Sequence, residues 1–204
     1  MPLSSLNAIS PVDGRYHRLT SILGPLLSEF GLIHHRVEVE VKYFIDLVLL
    51  PLPQLEDFPK DKTEAMRALY LNFSESDAQK IKEFEATTNH DVKAVEYWIK
   101  EEMGKLGVSK WSEFVHFGLT SQDINNTAIP LSLKRATEEV YLPLIDEVIE
   151  KLSGFAMEWK AVPVLARTHG QSASPVTVGK EIRVFEDRLR IQRDAIANSI
   201  YAAK

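Results

Sequence analysis

The stretch that decides the fold class runs from Phe30 to Val48 and reads FGLIHHRVEVEVKYFIDLV. Its apolar side chains recur every three or four residues, as one face of an α-helix requires. They are Phe30, Ile33, Val37, Val41, Phe44 and Val48. The valines at 37, 39 and 41 also alternate as in a strand, but strands rarely run this far. The longer period therefore predicts a helix, which Gly24-Pro25 opens and the prolines at 51 and 53 close.

Similar helical periods continue on both sides of a few interruptions. A helix is predicted over residues 60–72, and the next begins at Ser74, where Asp77 three residues on forms a capping box. The cap- and turn-forming segment TTNHD at 87–91 interrupts that helix, and the helical period then resumes as far as Gly104.

Long striped helices are predicted after about residue 110, over 123–160 with a kink at Pro143, and over 176–204. An irregular stretch punctuated by prolines and Gly170 separates them. The fold class predicted is all-α, with an N-terminal helical domain over 1–108 and a partial helical bundle over 109–204. The last helix keeps its stripe to Lys204, which predicts a chain cut inside a bundle. Partner helices from other copies of the chain are the open alternative.

Composition narrows the classes of protein. The 204 residues carry 24 Lys and Arg against 29 Asp and Glu, for a net charge of −5, which argues against a nucleic-acid binder. There are no cysteines, so disulfides, thiolate metal sites and cysteine nucleophiles are excluded. The N-terminus has no basic and apolar signal pattern, and the most apolar stretch, 44–52, is too short to span a bilayer. These features predict a cytoplasmic protein without a membrane partner.

Several common catalytic motifs do not occur in the sequence. It contains neither GxxxxGK[ST] nor GxGxxG, and neither HExxH nor GxSxG. His34 and His35 are adjacent and would point in different directions on a helix, so they make a poor pair of metal ligands. We predict no cofactor and no metal ion.

Four polar clusters remain in loops or at helix starts. They read DGRY at 13–16, TNHD at 88–91, TSQD at 120–123 and THGQ at 168–171. Each could serve as a turn or an N-cap alone. Together they suggest a binding site, because hydroxyls and amides at helix N-termini can hold carboxylates and an Arg can bind a phosphate. A loop histidine is the usual general acid or base near neutral pH.

In this order, the clusters resemble the adenylosuccinate lyases, a family of the fumarase/aspartase superfamily. The resemblance covers the whole chain through four segments. They are SPVDGRY at 10–16, TTNHDVKAVEY at 87–97, FVHF at 114–117 and RTHGQ at 167–171. The first two segments are the most specific and point to the bacterial-type branch, whereas TSxD and THxQ are marks of the whole superfamily.

The resemblance implies a β-elimination that releases fumarate from two succinylated purine nucleotides. Adenylosuccinate would give AMP, and SAICAR would give AICAR. Of the residues that match the family's motif, His169 corresponds to its general acid and His90 assists it. The residues corresponding to substrate-binding positions are Arg15, Tyr16, Asn89, His90, Asp91, Thr120, Ser121 and Thr168. The segment around His116 is predicted to be packing, without a catalytic role.

One element of the family pattern is missing. The family's catalytic base is a serine on a signature loop of the form SSxMPxKxNP, and no such segment occurs in this sequence. Family members are longer and form homotetramers with shared active sites. The resemblance therefore implies that this chain is inactive alone. Two alternatives stay open at this point: another superfamily lyase, such as argininosuccinate lyase or fumarase, and a non-enzymatic helical interaction fragment.

Overall fold

A computed structural model of the chain describes Leu6 and residues 8–203. The chain divides into two compact units, and each is described by itself. The first runs up to Lys134 and includes residues 201–203, and the second spans Arg135–Ile200. The domain boundary predicted after residue 108 stays a prediction.

The first unit is built from helices. They are α1 (His17–Thr20), α2 (Gly24–Leu27), α3 (Glu29–Leu49), α4 (Thr63–Leu71), α5 (Glu75–Thr88), α6 (Asp91–Lys105) and α7 (Ser121–Arg135). Short 3-10 turns lie at Ser21–Leu23, Lys60–Lys62 and Ser109–Phe114. The helix predicted from the opening stretch is thus α3. Its start is set by Ser28, whose hydroxyl accepts a hydrogen bond from the Gly31 amide. The predicted start at Gly24-Pro25 was wrong, because these residues belong to the separate short helix α2.

The core of the first unit forms around α3. Val37, Val41 and Phe44 are fully buried there, together with Ile99 of α6, and Trp98 is nearly so. Burial of such side chains contributes roughly 1.5–3 kcal/mol each, which makes α3 the central element of this unit. The capping box predicted at Ser74 is present, and the predicted interruption before Asp91 separates α5 from α6.

The second unit contains two helices and a hairpin. The helices are α8 (Leu142–Glu158) and α9 (Val178–Ala197), and the strands between them are β1 (Pro163–Thr168) and β2 (Gln171–Thr177). A π-helical turn, Ala136–Tyr141, precedes α8, so the helical run predicted over 123–160 is present from Ser121 to Glu158 but changes to π-helix in its middle. Pro143 accounts for the change, because it lacks an N–H for the carbonyl four residues earlier and its ring crowds that carbonyl.

The stretch predicted to be irregular is an antiparallel hairpin. Pro163 pairs with Thr177 and Thr168 pairs with Gln171, with one irregularity between Leu165 and Arg167. Its base is tied to the ends of the neighbouring helices, since the Val178 amide donates to the Val162 carbonyl and the Gly179 amide to the Trp159 carbonyl. The prediction of a loop here was wrong. Most side chains of both strands are exposed, so no buried alternating stripe marked them.

The last helix ends earlier than the sequence predicts. Helix α9 stops at Ala197, and Asn198 follows as its C-cap, with its side-chain amide donating to the Asp194 carbonyl. The prediction that the helix continues to Lys204 was wrong for the described residues. An amide side chain that bonds the last turn competes with continuation of the helix, although the apolar period runs on through Ile200.

The all-α fold class is confirmed, with the hairpin as a small exception. Within the described ranges, no helix is long and apolar enough to cross a membrane.

Candidate active site

The start of α6 carries the predicted residues Asn89, His90 and Asp91. Asn89 adopts a left-handed conformation, with a φ of 50°, and ends α5 as its C-cap. His90 is the N-cap of α6, where its Nδ1 accepts a hydrogen bond from the Lys93 amide at 3.2 Å. The Thr88 hydroxyl fixes the backbone between the two helices by accepting from the His90 amide at 3.3 Å. These contacts hold the segment in one conformation.

The start of α7 carries Thr120 and Ser121. The amide and the hydroxyl of Thr120 both donate to Asp123 Oδ2, each at 2.8 Å. This pattern resembles a capping box and orders the first turn of the helix. Because both protons of Thr120 are committed to Asp123, its hydroxyl can offer only lone pairs to a ligand.

The two helix starts meet through one side-chain contact. His90 Nε2 lies 3.3 Å from the Ser121 hydroxyl oxygen. Since Nδ1 of His90 accepts from a backbone amide, the neutral ring carries its proton on Nε2. His90 therefore donates to Ser121, and the hydroxyl proton of Ser121 is left to point at a ligand. A carboxylate is the natural acceptor for such a proton beside a helix N-terminus.

The buried side chain of Arg36 in α3 bonds to both of these helices near their starts. Its Nη2 donates to Asp91 Oδ2 at 2.6 Å, and its Nε donates to Asn125 Oδ1 at 2.9 Å. Arg36 is 5% exposed. Partial burial would raise the pKa of the Asp91 carboxyl, but the Val92 amide and the Arg36 guanidinium outweigh it and hold that pKa below its usual value.

A second ionisable pair involves the residue one turn further along α3. His116 Nδ1 contacts Glu40 Oε1 at 2.5 Å, and Glu40 is completely buried. The hydrogen bond to Glu40 raises the pKa of His116, while burial raises the pKa of Glu40 against the opposing effect of His116. His116 also has a φ of 61°. The sequence predicted only packing for this histidine, whereas the structure makes it half of an ionisable pair.

The predicted nucleotide-binding residues lie in the N-terminal turn. Arg15 and Tyr16 are both exposed, and the Arg15 guanidinium lies 4.6 Å from the centre of the Tyr16 ring. The turn is held by backbone bonds, among them the one from the Tyr16 amide to the Pro11 carbonyl. Among the hydrogen bonds and ion pairs of residues 8–203, none joins Arg15 or Tyr16 to His90 or Ser121.

The remaining predicted residues, Thr168 and His169, lie in the second unit, at the tip of the hairpin. His169 and Gly170 form its two-residue turn, with φ values of 49° and 76°. Two consecutive positive φ angles define a type I′ turn, which usually takes Asn-Gly. His169 is exposed, so the turn presents an imidazole at its tip.

The structure thus joins His90, Asp91 and Ser121 in one place and keeps Thr120 beside them. Sequence reasoning missed Arg36, Asn125 and Glu40. Arg36 and Glu40 interrupt the apolar pattern of α3 with charge, which is a weak signal that buried partners exist. Their partners lie 55 to 89 residues away in sequence, so no local pattern could identify them. Within the described residues, no three His, Asp or Glu side chains are grouped as metal ligands.

A family model described as "Lyase" matches residues 35–202. The chain belongs to the Lyase family.

Three relatives of this Lyase-family chain carry the same enzyme name. It is 52% identical to adenylosuccinate lyase of Dictyostelium discoideum over 203 residues, which cover 97% of this chain and 44% of the relative. It is 45% identical to adenylosuccinate lyase of Escherichia coli, over 94% of this chain and 42% of that one. It is 44% identical to the Vibrio cholerae enzyme of the same name, over 100% of this chain and 45% of the relative. The chain therefore spans less than half the length of these relatives.

Solved structures confirm the fold of this Lyase-family chain. A fumarate lyase from a Mesorhizobium strain matches with a TM-score of 0.68 at 21% identity, over 87% of this chain and 39% of that one. A 3-carboxy-cis,cis-muconate lactonizing enzyme from Pseudomonas putida matches with a TM-score of 0.64 at 20% identity and the same coverage. At these identities the likeness concerns the fold alone.

Proposed function

We propose that this chain supplies part of the active site of an adenylosuccinate lyase, which eliminates fumarate from succinylated purine nucleotides. The substrates would be adenylosuccinate, giving AMP, and SAICAR, giving AICAR. The identity of 52% to the Dictyostelium enzyme over nearly the whole chain supports this proposal. The observation that carries it is the contact between His90 and Ser121, which unites two segments predicted separately to bind substrate.

The reaction sets three chemical demands. A base must remove a weakly acidic proton next to a carboxylate, and that carboxylate must be stabilised as negative charge develops on it. An acid must protonate the departing nitrogen, because an amide anion is a very poor leaving group. Both carboxylates of the succinyl group and the phosphate must also be held so that the reacting atoms are aligned.

The first unit would meet the demand for carboxylate binding. In this proposal Ser121 donates its free hydroxyl proton to a succinyl carboxylate, and the N-terminus of α7 adds its partial positive charge. His90 donates to Ser121, which fixes the direction of the serine proton. Its assistance to His169 belongs to the proposal as well and rests on the resemblance. Asn89 and Asp91 complete the substrate-binding segment. Thr120 would accept a hydrogen bond from a substrate N–H or O–H, because its own hydroxyl proton goes to Asp123.

Residues elsewhere in the chain would bind the phosphate and protonate the departing nitrogen. Arg15 beside Tyr16 suits a phosphate, because a guanidinium can form two parallel charge-assisted hydrogen bonds to it. His169 at the hairpin tip would act as the general acid, with Thr168 binding substrate beside it. No cofactor enters this scheme.

The 204-residue chain alone is expected to release no fumarate. The family's signature loop, which carries the serine base, is not part of this sequence. Homotetrameric assembly and a cytoplasmic location also belong to the proposal, and both rest on the resemblance to adenylosuccinate lyases.

A chimeric enzyme tests the function directly. Residues 1–204 would replace the matching segment of the Dictyostelium adenylosuccinate lyase, and fumarate release would be measured with adenylosuccinate, SAICAR and argininosuccinate. We expect elimination from the two succinylated purine nucleotides and none from argininosuccinate. The Ser121→Ala chimera should lose about 10²-fold or more in kcat, the usual effect of removing one preorganised donor.

The matched control is Ser153→Ala, which removes a hydroxyl from α8 and should leave the rates unchanged. A folded chimera that acts on neither purine substrate would refute the proposed function. Elimination from argininosuccinate alone would favour the other superfamily lyase, and a Ser121→Ala chimera as active as the parent would exclude Ser121 from carboxylate binding.

A further inference from the structure

The position of Arg36 in the middle of α3 is unusual. Its neighbours on the helix, Ile33 and Val37, belong to the apolar core, and Arg36 itself is 5% exposed. A guanidinium withdrawn from water is stable only when it is paired and hydrogen-bonded. The identity of its partners therefore shows what the arginine is built to hold.

Both described partners of Arg36 belong to the candidate site rather than to the core. Asp91 directly follows His90 and opens α6. Asn125 lies four residues after Ser121, on the same face of α7, because side chains four apart on a helix are stacked one above the other. One guanidinium thus binds α6 at its first residue and α7 about one turn after its start, at 2.6 Å and 2.9 Å.

The planar guanidinium of Arg36 fixes the positions of its two acceptors relative to each other. Its N–H groups diverge in one plane at fixed angles, so two acceptors bound to it cannot shift independently. The direct contact between the two helix starts, from His90 to Ser121, is longer at 3.3 Å. A charge-assisted bond is shorter and about twice as strong as a neutral one, so Arg36 provides the firmer connection.

We propose that Arg36 is a positioning residue of this site, which fixes the α6 start with Asn89, His90 and Asp91 against the α7 start with Thr120 and Ser121. Arg36 reaches the site from behind, through Asp91 and Asn125, and it does not touch the substrate. The inference rests on the proposed function for its consequence in catalysis. The claim that Arg36 fixes the two helix starts against each other does not depend on the proposed function and can be tested in this chain alone.

The test compares three variants at the link. Arg36→Met removes both bonds, Arg36→Lys keeps a charge for Asp91 but not the planar fork, and Asn125→Ala leaves the ion pair intact and removes the other bond. The control is Arg193→Met, because Arg193 forms a two-bond contact with Asp146 in the second unit, with both distances 2.8 Å. Each variant is made in the 204-residue chain and in the chimera.

Nuclear magnetic resonance of the 204-residue chain tests the geometry without any activity. In Arg36→Met we expect the pKa of the Asp91 carboxyl to rise and the amide resonances of both Lys93 and Ser121 to shift. In Asn125→Ala we expect the Ser121 amide to shift while the pKa of Asp91 stays low. Arg193→Met should leave all of these unchanged.

Kinetics of the chimera tests the consequence for catalysis. A misplacement of about 1 Å can reduce a rate about 100-fold, so we expect kcat to fall about 10- to 100-fold in Arg36→Met. Arg36→Lys and Asn125→Ala should fall less and in the same direction, with KM changed less than kcat. The melting temperature of each variant shows whether it stays folded at the temperature of the assay.

Two results would overturn the proposal. One is a folded Arg36→Met chimera whose kcat stays within about twofold of the parent, since misplaced groups should cost more than that. The other is an unchanged Ser121 amide in every variant at the link. If Arg36→Met fails to fold, Arg36→Lys and Asn125→Ala decide the question. An inactive unsubstituted chimera would refute the lyase activity alone, because the resonances of the 204-residue chain report on Arg36 independently.

Discussion

The helix-start site of the first unit and the hairpin tip of the second hold their predicted residues in opposite ways. His90 and Asp91 are held by a cap, a neighbouring hydroxyl and a buried guanidinium. His169 is held by its own backbone turn and its side chain is exposed. Side chains held by packed neighbours keep one geometry in the free chain, whereas an exposed side chain on a turn can be fixed when a site closes over its ligand. This contrast predicts that substitutions in the two places affect activity and stability to different extents.

The largest effect is expected at the hairpin tip. Asn favours the positive φ of residue 169 more than His does, so His169→Asn should preserve or strengthen the turn while removing the imidazole. In the chimera, fumarate release should fall about 10²- to 10⁴-fold, the usual contribution of a general acid. The melting temperature should not fall.

The complementary variant is Gly170→Ala, which keeps His169 but strains a residue with a φ of 76°. It should disturb the hairpin resonances and reduce activity less than His169→Asn does. A His169→Asn chimera with parental activity would show that the tip is only a turn.

The next effect concerns the base of the hairpin. A Cβ at Gly179 would lie 2.3 Å from the Ala156 carbonyl oxygen, where α9 begins against the end of α8. Gly179→Ala should therefore destabilise the second unit by about 1–3 kcal/mol, as overpacking of a tight contact does. Hydrogen exchange resolved by residue would locate the loss in α8, α9 and the hairpin.

Gly154→Ala is the matched control, because a Cβ there meets nothing within 4 Å and Gly154 lies inside α8. It should stabilise the helix by up to about 1 kcal/mol. Equal effects of the two substitutions would mean that the close approach at Gly179 does not support the hairpin.

The smallest effect concerns the pH dependence of the first unit. The pKa of His116 is raised in the folded chain, so the stability gained from its protonated form is present below about pH 6.5 and is lost as pH rises through the raised value. The raised pKa of Glu40 acts with the same sign, from about pH 4.5 upward. The free energy of unfolding should therefore decrease with pH more steeply in the parent than in the Glu40→Gln/His116→Asn double variant.

Urea unfolding from about pH 6 to about pH 9 would measure this difference. Asn is chosen at 116 because it tolerates the positive φ there. If the free energy of unfolding changed with pH equally in the two proteins, the pair of Glu40 and His116 would add no pH dependence to the stability of the first unit.

The sequence predicted the helices of the first unit well because their signals are local. The stripe of α3, the capping box at Ser74 and the interruption before α6 each lie within one or two turns of the chain. The hairpin escaped prediction because its strands are mostly exposed and carry Pro163 and Pro175, which are unusual within strands. Its turn carries His-Gly in place of the more recognisable Asn-Gly.

Some residues of the candidate site could be named from the sequence, but their contacts and their buried partner Arg36 could not. His90 and Ser121 follow from motif and position, yet their contact spans 31 residues of sequence. Arg36 has no motif of its own, and its role emerges only once three helices are packed. Long-range contacts of this kind depend on tertiary structure, which periodicity and capping signals do not encode.

The left-handed turn at the hairpin tip has a consequence for protein design. A procedure that chose residues for this backbone by stability alone would place Asn or Gly at position 169, since both accept its φ of 49° more easily than His does. The redesigned chain would fold at least as well and would lack the imidazole on which the proposed chemistry depends. His suits this backbone less well than Asn or Gly does, so residue 169 should be kept unchanged in any library of stabilised variants of this chain.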